Sequence, residues 1–178
     1  MKAKVGGIEV ETVVGEITKL SVEAIANSAS YDLRMESGVA GAIKHAGGEE
    51  IEREAIAQGP LKAGEAVITS GGKLGARYII HCASRPLGSS ATYSKVRASV
   101  LSGLRLASSK GIRSVAFPAI GTENGGMSSE ESANAIIAAI REHSRHAGSV
   151  QRIVLVASDT PMAQNFEDVL KKLERWTA

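Results

Sequence analysis

One segment carries most of the evidence for the fold: Phe117-Pro118-Ala119-Ile120-Gly121-Thr122-Glu123-Asn124-Gly125-Gly126-Met127-Ser128-Ser129-Glu130-Glu131. Phe117 ends an apolar run that is typical of a buried strand, and a loop with three glycines follows. Ser128 and Glu131 have the spacing of a capping box, which predicts that a helix begins there. A strand that passes through glycines to a helix N-terminus can hold an anion such as a phosphate. An ordinary turn between strand and helix explains this single segment equally well.

The composition is typical of a globular protein, and we expect one domain over residues 1–178. Apolar residues make up 43% of the chain, charged residues 22% and aromatic residues 3%, with a formal net charge of +2. A dedicated nucleic-acid binder would normally carry a basic stripe and aromatic side chains that stack on bases. We therefore expect no direct, sequence-specific binding of nucleic acid.

The chain has a single cysteine, Cys82, which excludes an internal disulfide and is typical of a reducing compartment. No apolar run approaches the ~18 residues that a membrane span needs. The first residues lack the apolar core of a signal peptide. These features predict a cytoplasmic protein that does not contact a membrane.

Strand-like and helix-like segments alternate along the chain. Strands are predicted at residues 8–14, 24–30, 65–69, 77–83, 114–117 and 152–157, and helices at about 35–46, 49–57 and 92–109 and after Ser128 and Thr160. This alternation predicts an α/β fold, a three-layer α/β/α sandwich with a mixed, mostly parallel central sheet. Two early strands precede the first helix, which indicates an antiparallel edge.

Ligands of such sheets bind where the parallel strands end. The informative loops are therefore those after Val14, Ala26, Ala83, Phe117 and Ala157. In contrast, His81 lies inside an apolar strand and is expected to have a structural role.

A second glycine-rich segment, Ser37-Gly38-Val39-Ala40-Gly41, opens another predicted helix. Two helix N-termini from different strands suit a diphosphate better than a single phosphate. Glu16, which follows the first predicted strand, could accept a hydrogen bond from an amino group such as that of adenine. The chain contains neither Gly-x-x-x-x-Gly-Lys-[Ser/Thr] nor Gly-x-Gly-x-x-Gly, which argues against P-loop and dinucleotide-dehydrogenase chemistry.

Four segments together resemble the macrodomain family of ADP-ribose-binding modules. They are Gly15-Glu16-Ile17-Thr18, Val22-Glu23-Ala24-Ile25-Ala26-Asn27-Ser28-Ala29-Ser30, Ser37-Gly38-Val39-Ala40-Gly41-Ala42-Ile43 and Phe117-Pro118-Ala119-Ile120-Gly121-Thr122. The resemblance implies a mixed sheet between helices, and a ligand that is ADP-ribose or an ADP-ribose derivative. We expect no cofactor and no metal site.

The resemblance also implies roles for individual residues. Glu16 would receive the adenine amino group with Ile17 beside it, and Ser158 stands where an aromatic side chain would stack on adenine. The first phosphate loop would comprise Gly38, Val39 and Ala40. The second, around the phosphates and the distal ribose, would comprise Gly121, Thr122, Glu123, Asn124, Gly125 and Gly126. Asn27 and Ser30 match the first and last asparagines of the family's Asn-Ala-Ala-Asn run.

Several departures from the family pattern bear on activity. Glu123 and Asn124 replace small and aliphatic residues, and with Asn27 they are the candidate catalytic residues. The reaction would be metal-independent hydrolysis at the distal ribose of ADP-ribose 1″-phosphate, O-acyl-ADP-ribose, or ADP-ribosylated protein or nucleic acid. Ser30 and Ala40 lack polar groups that hydrolytic members carry, which favours binding over rapid hydrolysis. The alternative is a diverged module that binds another nucleotide or serves as a non-catalytic interaction module.

Overall fold

The computed structural model describes residues 1–146 and 148–177, with side chains as far as residue 173. Over these residues a seven-stranded sheet lies between two layers of helices. The strands are β1 (Lys2–Val5), β2 (Ile8–Val14), β3 (Ala24–Ser30), β4 (Ala66–Ser70), β5 (Tyr78–Arg85), β6 (Ser114–Phe117) and β7 (Arg152–Ala157). The helices are α1 (Gly38–Gly47), α2 (Glu50–Ile56), α3 (Tyr93–Ser109), α4 (Ser129–His143) and α5 (Thr160–Thr177), and a short 3-10 helix spans Ile17–Lys19.

The sheet order is β1-β2-β7-β6-β3-β5-β4. The five central strands run parallel to one another, whereas β1 and β4 pair antiparallel with β2 and β5 at the two edges. Helices α3, α4 and α5 pack on one face through residues such as Val96, Ile136 and Phe166. Helices α1 and α2 cover the other face through Ile43 and Ile51. The predicted three-layer architecture with a mixed, mostly parallel sheet is confirmed.

Strands β2, β3, β6 and β7 have the predicted bounds. In β2, β6 and β7 the reason is a continuous run of alternating or apolar residues between turn signals. Strand β1 was not predicted, since four residues with two lysines give a weak pattern. The expected antiparallel edge exists, but β1 and β4 form the two edges. Strand β3 lies between β6 and β5 and does not pair with β2.

The parallel arrangement brings five chain segments to one edge of the sheet. The strands β2, β7, β6, β3 and β5 end there. Side chains of β7, β6, β3 and β5 are largely buried on both faces, as expected for a sheet covered by helices, whereas those of β2 alternate between buried and half-buried. The loops that follow them build the candidate site. Among the helices of the described residues, none combines the length and apolar character needed to cross a bilayer.

Candidate functional site

Two neighbouring cavities open at this edge. The first, which we call the polar cavity, has a volume of about 360 Å³ and is lined by Ser28, Ser30, Tyr31, Asp32, Arg34, Glu36, Ser37, Ala40, Arg85, Pro86, Gly88, Ser89, Glu123 and Asn124. The second, the apolar cavity, has a volume of about 210 Å³ and is lined by Gly15, Ile17, Gly38, Val39, Pro118, Ala119, Thr122, Glu123, Val156, Ser158 and Met162.

The start of α1 lies between the two cavities. Gly38 and Val39 line the apolar cavity, whereas Ala40 lines the polar one. Gly38 has a φ of 61°, a left-handed conformation that glycine adopts without strain. The Ser37 side chain forms no capping hydrogen bond, so it leaves the first-turn N–H groups of α1 without the usual side-chain acceptor. An anion in this position would meet the positive end of the helix dipole.

The loop between β6 and α4 is held in place by its own backbone. The N–H of Met127 donates to the carbonyl of Gly121 at 2.9 Å, and the N–H of Gly126 donates to the carbonyl of Glu123 at 3.1 Å. The N–H of Gly121 donates to Ser28 Oγ at 3.2 Å, which fastens the loop to β3. Gly121 has a φ of 87°, Asn124 a φ of 55° and Gly125 a φ of 70°, so the loop depends on three left-handed residues.

The start of α4 lies outside the linings of both cavities. Ser128 Oγ accepts a hydrogen bond from the N–H of Glu131 at 3.1 Å, so the predicted N-terminal cap is confirmed. Glu130 and Glu131 already place negative charge in the first turn, and neither they nor Ser128 lines either cavity. The start of α1 and Met162 in the first turn of α5 line the cavities, whereas the start of α4 lines neither. That two helix N-termini hold the ligand's phosphates stays a prediction.

A fixed carboxylate, Asp32, stands in the polar cavity. Its Oδ1 accepts hydrogen bonds from the Ser30 hydroxyl at 2.6 Å and from the Arg34 N–H at 3.2 Å. Burial acts to raise the pKa of Asp32, but these hydrogen bonds and the Arg34 guanidinium outweigh it and lower the pKa below its usual value. Asp32 is therefore a carboxylate at neutral pH. It can accept hydrogen bonds from a sugar hydroxyl or from a water molecule.

Two arginines bring positive charge to the same cavity. The Arg34 guanidinium lies 3.9 Å from Asp32 and 3.8 Å from Glu36, so it is already balanced by acids. Arg85 is the last residue of β5 and pairs with Ser30, and its carbonyl accepts a hydrogen bond from the N–H of Tyr31 at 2.9 Å. This contact joins the end of β5 to the segment after β3, so both walls of the cavity belong to the sheet edge.

Nine of the predicted site residues line the cavities. Ser30, Ala40 and Asn124 line the polar cavity, and Glu123 lines both. Those that line the apolar cavity are Ile17, Gly38, Val39, Thr122 and Ser158 together with Glu123. Thr122 donates from its hydroxyl to the Ala119 carbonyl at 2.8 Å, which orders the loop where it enters this cavity.

Five other predicted residues do not line either cavity. Asn27 is 1% exposed and lies within the sheet, where its amide contacts His81 at 3.1 Å. The Glu16 carboxylate pairs with Lys19 at 3.0 Å, and its side chain is 68% exposed, so it is directed to solvent beside the cavity. Gly121, Gly125 and Gly126 shape the loop through its backbone without forming a cavity wall. The catalytic interpretation of Asn27 therefore has no support from the geometry.

The sequence interpretation missed Asp32 and Arg85. The loop after Ala83 was among the five informative loops, so the rule that parallel strands end at one edge already indicated the region of Arg85. Asp32 follows the Asn27–Ser30 run by two residues and carried no motif of its own. Within the described residues, no group of three or more His, Cys, Asp or Glu side chains is placed to hold a metal ion.

Comparison with known proteins identifies the family of this chain. Residues 26–136 match the family described as "Macro domain". An uncharacterised protein of Mycobacterium tuberculosis is 41% identical over 147 residues, which are 83% of this chain and 40% of the relative. An uncharacterised protein of Pyrobaculum aerophilum is 35% identical, and the match covers 97% of this chain and 96% of the relative. The mouse ADP-ribose glycohydrolase MACROD1 is 37% identical over 79% of this chain and 45% of its own length.

Solved structures of similar fold include ligand complexes. A variant of the Oceanobacillus iheyensis macrodomain with ADPR superposes with a TM-score of 0.88 at 28% identity over 98% of both chains. The Trypanosoma brucei macrodomain in complex with ADP-ribose gives a TM-score of 0.80 at 26% identity, over 89% of this chain and 68% of that one. The chain spans about 40% of the length of the first curated relatives it matches. From the family match, the relatives and the fold together, this chain belongs to the macro domain family.

Proposed function

We propose that this protein binds ADP-ribose or an ADP-ribose derivative across the two cavities. The adenosine end occupies the apolar cavity, the diphosphate lies at the start of α1, and the distal ribose occupies the polar cavity. The observation that carries the proposal is the position of the uncapped α1 N-terminus, with Gly38 at one cavity and Ala40 at the other. The ADP-ribose and ADP complexes of the structural neighbours support the same ligand class.

The chemistry of each region suits a different part of this ligand. Ile17, Val39 and Val156 offer apolar contacts for a planar base, as small-molecule sites commonly do. The described lining of the apolar cavity contains no Lys or Arg, so backbone N–H groups and the α1 dipole would carry the phosphate binding. In the polar cavity, Asp32 and Asn124 offer hydrogen-bond partners for ribose hydroxyls.

Isothermal titration calorimetry with ADP-ribose tests the proposal directly. We expect saturable binding at one site, weaker binding of AMP, and weaker binding still of ribose 5-phosphate. Absence of heat at millimolar ADP-ribose, together with a thermal shift from some other nucleotide, would instead support the alternative of a diverged module.

A pair of charge variants on one helix checks the location of the phosphates. Val39→Glu places a carboxylate in the first turn of α1, beside the expected diphosphate, and should weaken ADP-ribose binding by tenfold or more through like-charge repulsion. Ala42→Glu adds the same charge to the exposed face of α1 and is the matched control. If the two variants bound ADP-ribose with equal affinity, the diphosphate would not lie at the start of α1.

Hydrolysis at the distal ribose is the second candidate function. It is favoured by Asp32, an ionised carboxylate that is held by Ser30 in the polar cavity and could orient a water molecule. The similarity to the mouse ADP-ribose glycohydrolase MACROD1 also supports hydrolysis as a candidate. Turnover of ADP-ribose 1″-phosphate, O-acyl-ADP-ribose and ADP-ribosylated protein by wild type, Asp32→Asn and Asn124→Ala tests it. Activity that survives both substitutions would exclude both side chains from catalysis.

A further inference from the structure

Glu123 is the residue shared by the linings of the two cavities. Its Oε2 accepts a hydrogen bond from the Ser28 hydroxyl at 3.0 Å. Ser28 is 7% exposed and its oxygen also accepts from the Gly121 N–H, so the hydroxyl proton is free to point at the carboxylate. The Glu123 side chain therefore extends from the loop after β6 to β3, across the region where the two cavities meet.

The same side chain also reaches the start of α1. A Cβ atom placed on Gly38 would lie 3.5 Å from Cγ of Glu123, which is ordinary van der Waals contact. A carboxylate there is an anion near the positive end of a helix. Glu123 thus stands in the region that the proposed function gives to the ligand's diphosphate.

We propose that Glu123 is a specificity-determining gate between the two cavities. This inference rests on the proposed function, because it concerns how ADP-ribose crosses from one cavity to the other. In the free protein the Glu123–Ser28 hydrogen bond keeps the cavities apart. A ligand that spans both cavities must break this bond and move the carboxylate away from its own phosphates.

The physical reason is repulsion between like charges in a partly buried space. Two phosphate groups beside a half-buried carboxylate repel it more strongly than they would in water. Glu123 can leave by side-chain rotation toward the exposed loop tip, where Asn124 and Gly125 face solvent. The breaking of a hydrogen bond to a charged acceptor adds to the cost.

The gate discriminates between ligands by their length. A ligand such as AMP, which fills the apolar cavity and ends with one phosphate, leaves the Glu123–Ser28 contact in place. ADP-ribose, whose diphosphate joins an adenosine to a second ribose, has to displace it. The carboxylate also repels the single phosphate of AMP, so its removal should help both ligands, and ADP-ribose more than AMP.

The test is calorimetry of wild type, Glu123→Ala and Glu123→Gln with ADP-ribose and with AMP. We expect Glu123→Ala to bind ADP-ribose about tenfold more tightly, which corresponds to about 1.4 kcal/mol, with a smaller gain for AMP. Glu123→Gln keeps the bulk of the side chain and removes its charge, so a smaller gain for ADP-ribose is expected. A thermal melt checks that each variant is folded. If Glu123→Ala does not fold, the ligand affinities of Glu123→Gln are compared with those of wild type instead.

The possible outcomes separate the gate from the proposed function. ADP-ribose binding by Glu123→Ala but not by wild type would support the gate strongly. Weaker binding of ADP-ribose by both variants would overturn it and make Glu123 a ligand contact, with the proposed function intact. An equal gain for AMP and ADP-ribose would also overturn it. A failure of all three proteins to bind ADP-ribose would overturn the proposed function and the gate with it.

Discussion

The side-chain amide of Asn27 lies 3.1 Å from Nδ1 of His81, inside the sheet. The other ring nitrogen of His81 lies 2.9 Å from the hydroxyl of Thr69, which in turn donates to the Ser70 carbonyl at 3.1 Å. The directions of these bonds place the histidine proton on Nε2 and leave Nδ1 to accept from Asn27. A row of polar side chains thus joins β3, β5 and β4, and it gives Asn27 a structural role.

Replacement of Asn27 should lower stability without changing ligand affinity. Asn27→Ala leaves His81 Nδ1 buried without its donor, which costs about 1–3 kcal/mol in the free energy of unfolding. Urea denaturation measures that loss, and calorimetry with ADP-ribose should give an affinity close to that of wild type. Asn134→Ala, on the exposed side of α4, is the matched control and should change stability by less than about 0.5 kcal/mol. If Asn27→Ala instead lost ADP-ribose affinity at unchanged stability, Asn27 would be a ligand contact.

Stability should depend on pH through His81. Burial lowers the pKa of His81 to about 4 from an ordinary 6.5. Between these values the unfolded chain binds a proton that the folded protein does not, so the free energy of unfolding falls as pH falls from 6.5 toward 4. The loss approaches about 3 kcal/mol, since one pKa unit corresponds to about 1.4 kcal/mol. Urea midpoints at pH 7, 5.5 and 4.5 measure it.

The control for this pH dependence is a variant that cannot titrate. His81→Gln should be less stable at pH 7 but should show a flatter decline across the same range. His143, whose pKa is also lowered by burial, contributes in the same direction, so His143→Gln serves as the comparison. If the free energy of unfolding fell equally with pH in wild type and in His81→Gln, groups other than His81 would cause the loss of stability in acid.

Two glycines of one loop should respond differently to the same substitution. Gly121 has a φ of 87°, and an added Cβ would lie 2.8 Å from Val96 Cγ2. Gly125 has a φ of 70°, but its added Cβ would meet nothing within 4 Å. Gly121→Ala should lower the free energy of unfolding by about 2–4 kcal/mol, because it adds backbone strain and overpacks the core. Gly125→Ala should lower it by about 1 kcal/mol through strain alone. If urea denaturation gave the same loss of stability for both variants, the core around Val96 would accommodate the added methyl group at little cost.

An aromatic residue at position 158 should strengthen adenine binding. Ser158 lies in the apolar cavity, and its hydroxyl lies 3.9 Å from Met162 Sδ. Ser158→Phe offers a ring for stacking worth about 1 kcal/mol, which is about a fivefold gain in ADP-ribose affinity. Ribose 5-phosphate lacks the base and is the control ligand. The same gain for both ligands would show that the base does not lie beside residue 158.

Much of the fold can be predicted because it follows from hydrophobic patterns and capping residues that are local in the sequence. Strands β2, β6 and β7 are uninterrupted apolar or alternating runs, and the Ser128 cap of α4 follows from its spacing to Glu131. Several site residues were also within reach, since the ends of parallel strands share one edge. Gly38, Thr122 and Ser158 line a cavity as this rule predicts.

The direction of single side chains was not predictable in the same way. Glu16 and Ile17 are consecutive residues, yet Ile17 lines the apolar cavity while Glu16 pairs with Lys19 in solvent. The two helix starts look alike in sequence, yet α1 opens into the cavities and α4 does not. These outcomes depend on neighbours that are distant in the chain.

The sequence by itself determined the alternation of strands and helices, the macro domain family and the edge of the sheet that holds the candidate site. These follow from local hydrophobic periodicity, glycine spacing and capping, which act over a few residues. Only the tertiary structure decided that Ser28 reaches Glu123 while Asn27, its neighbour, reaches His81. The pleat of β3 sends consecutive side chains to opposite faces, and the elements packed on each face determine what they meet.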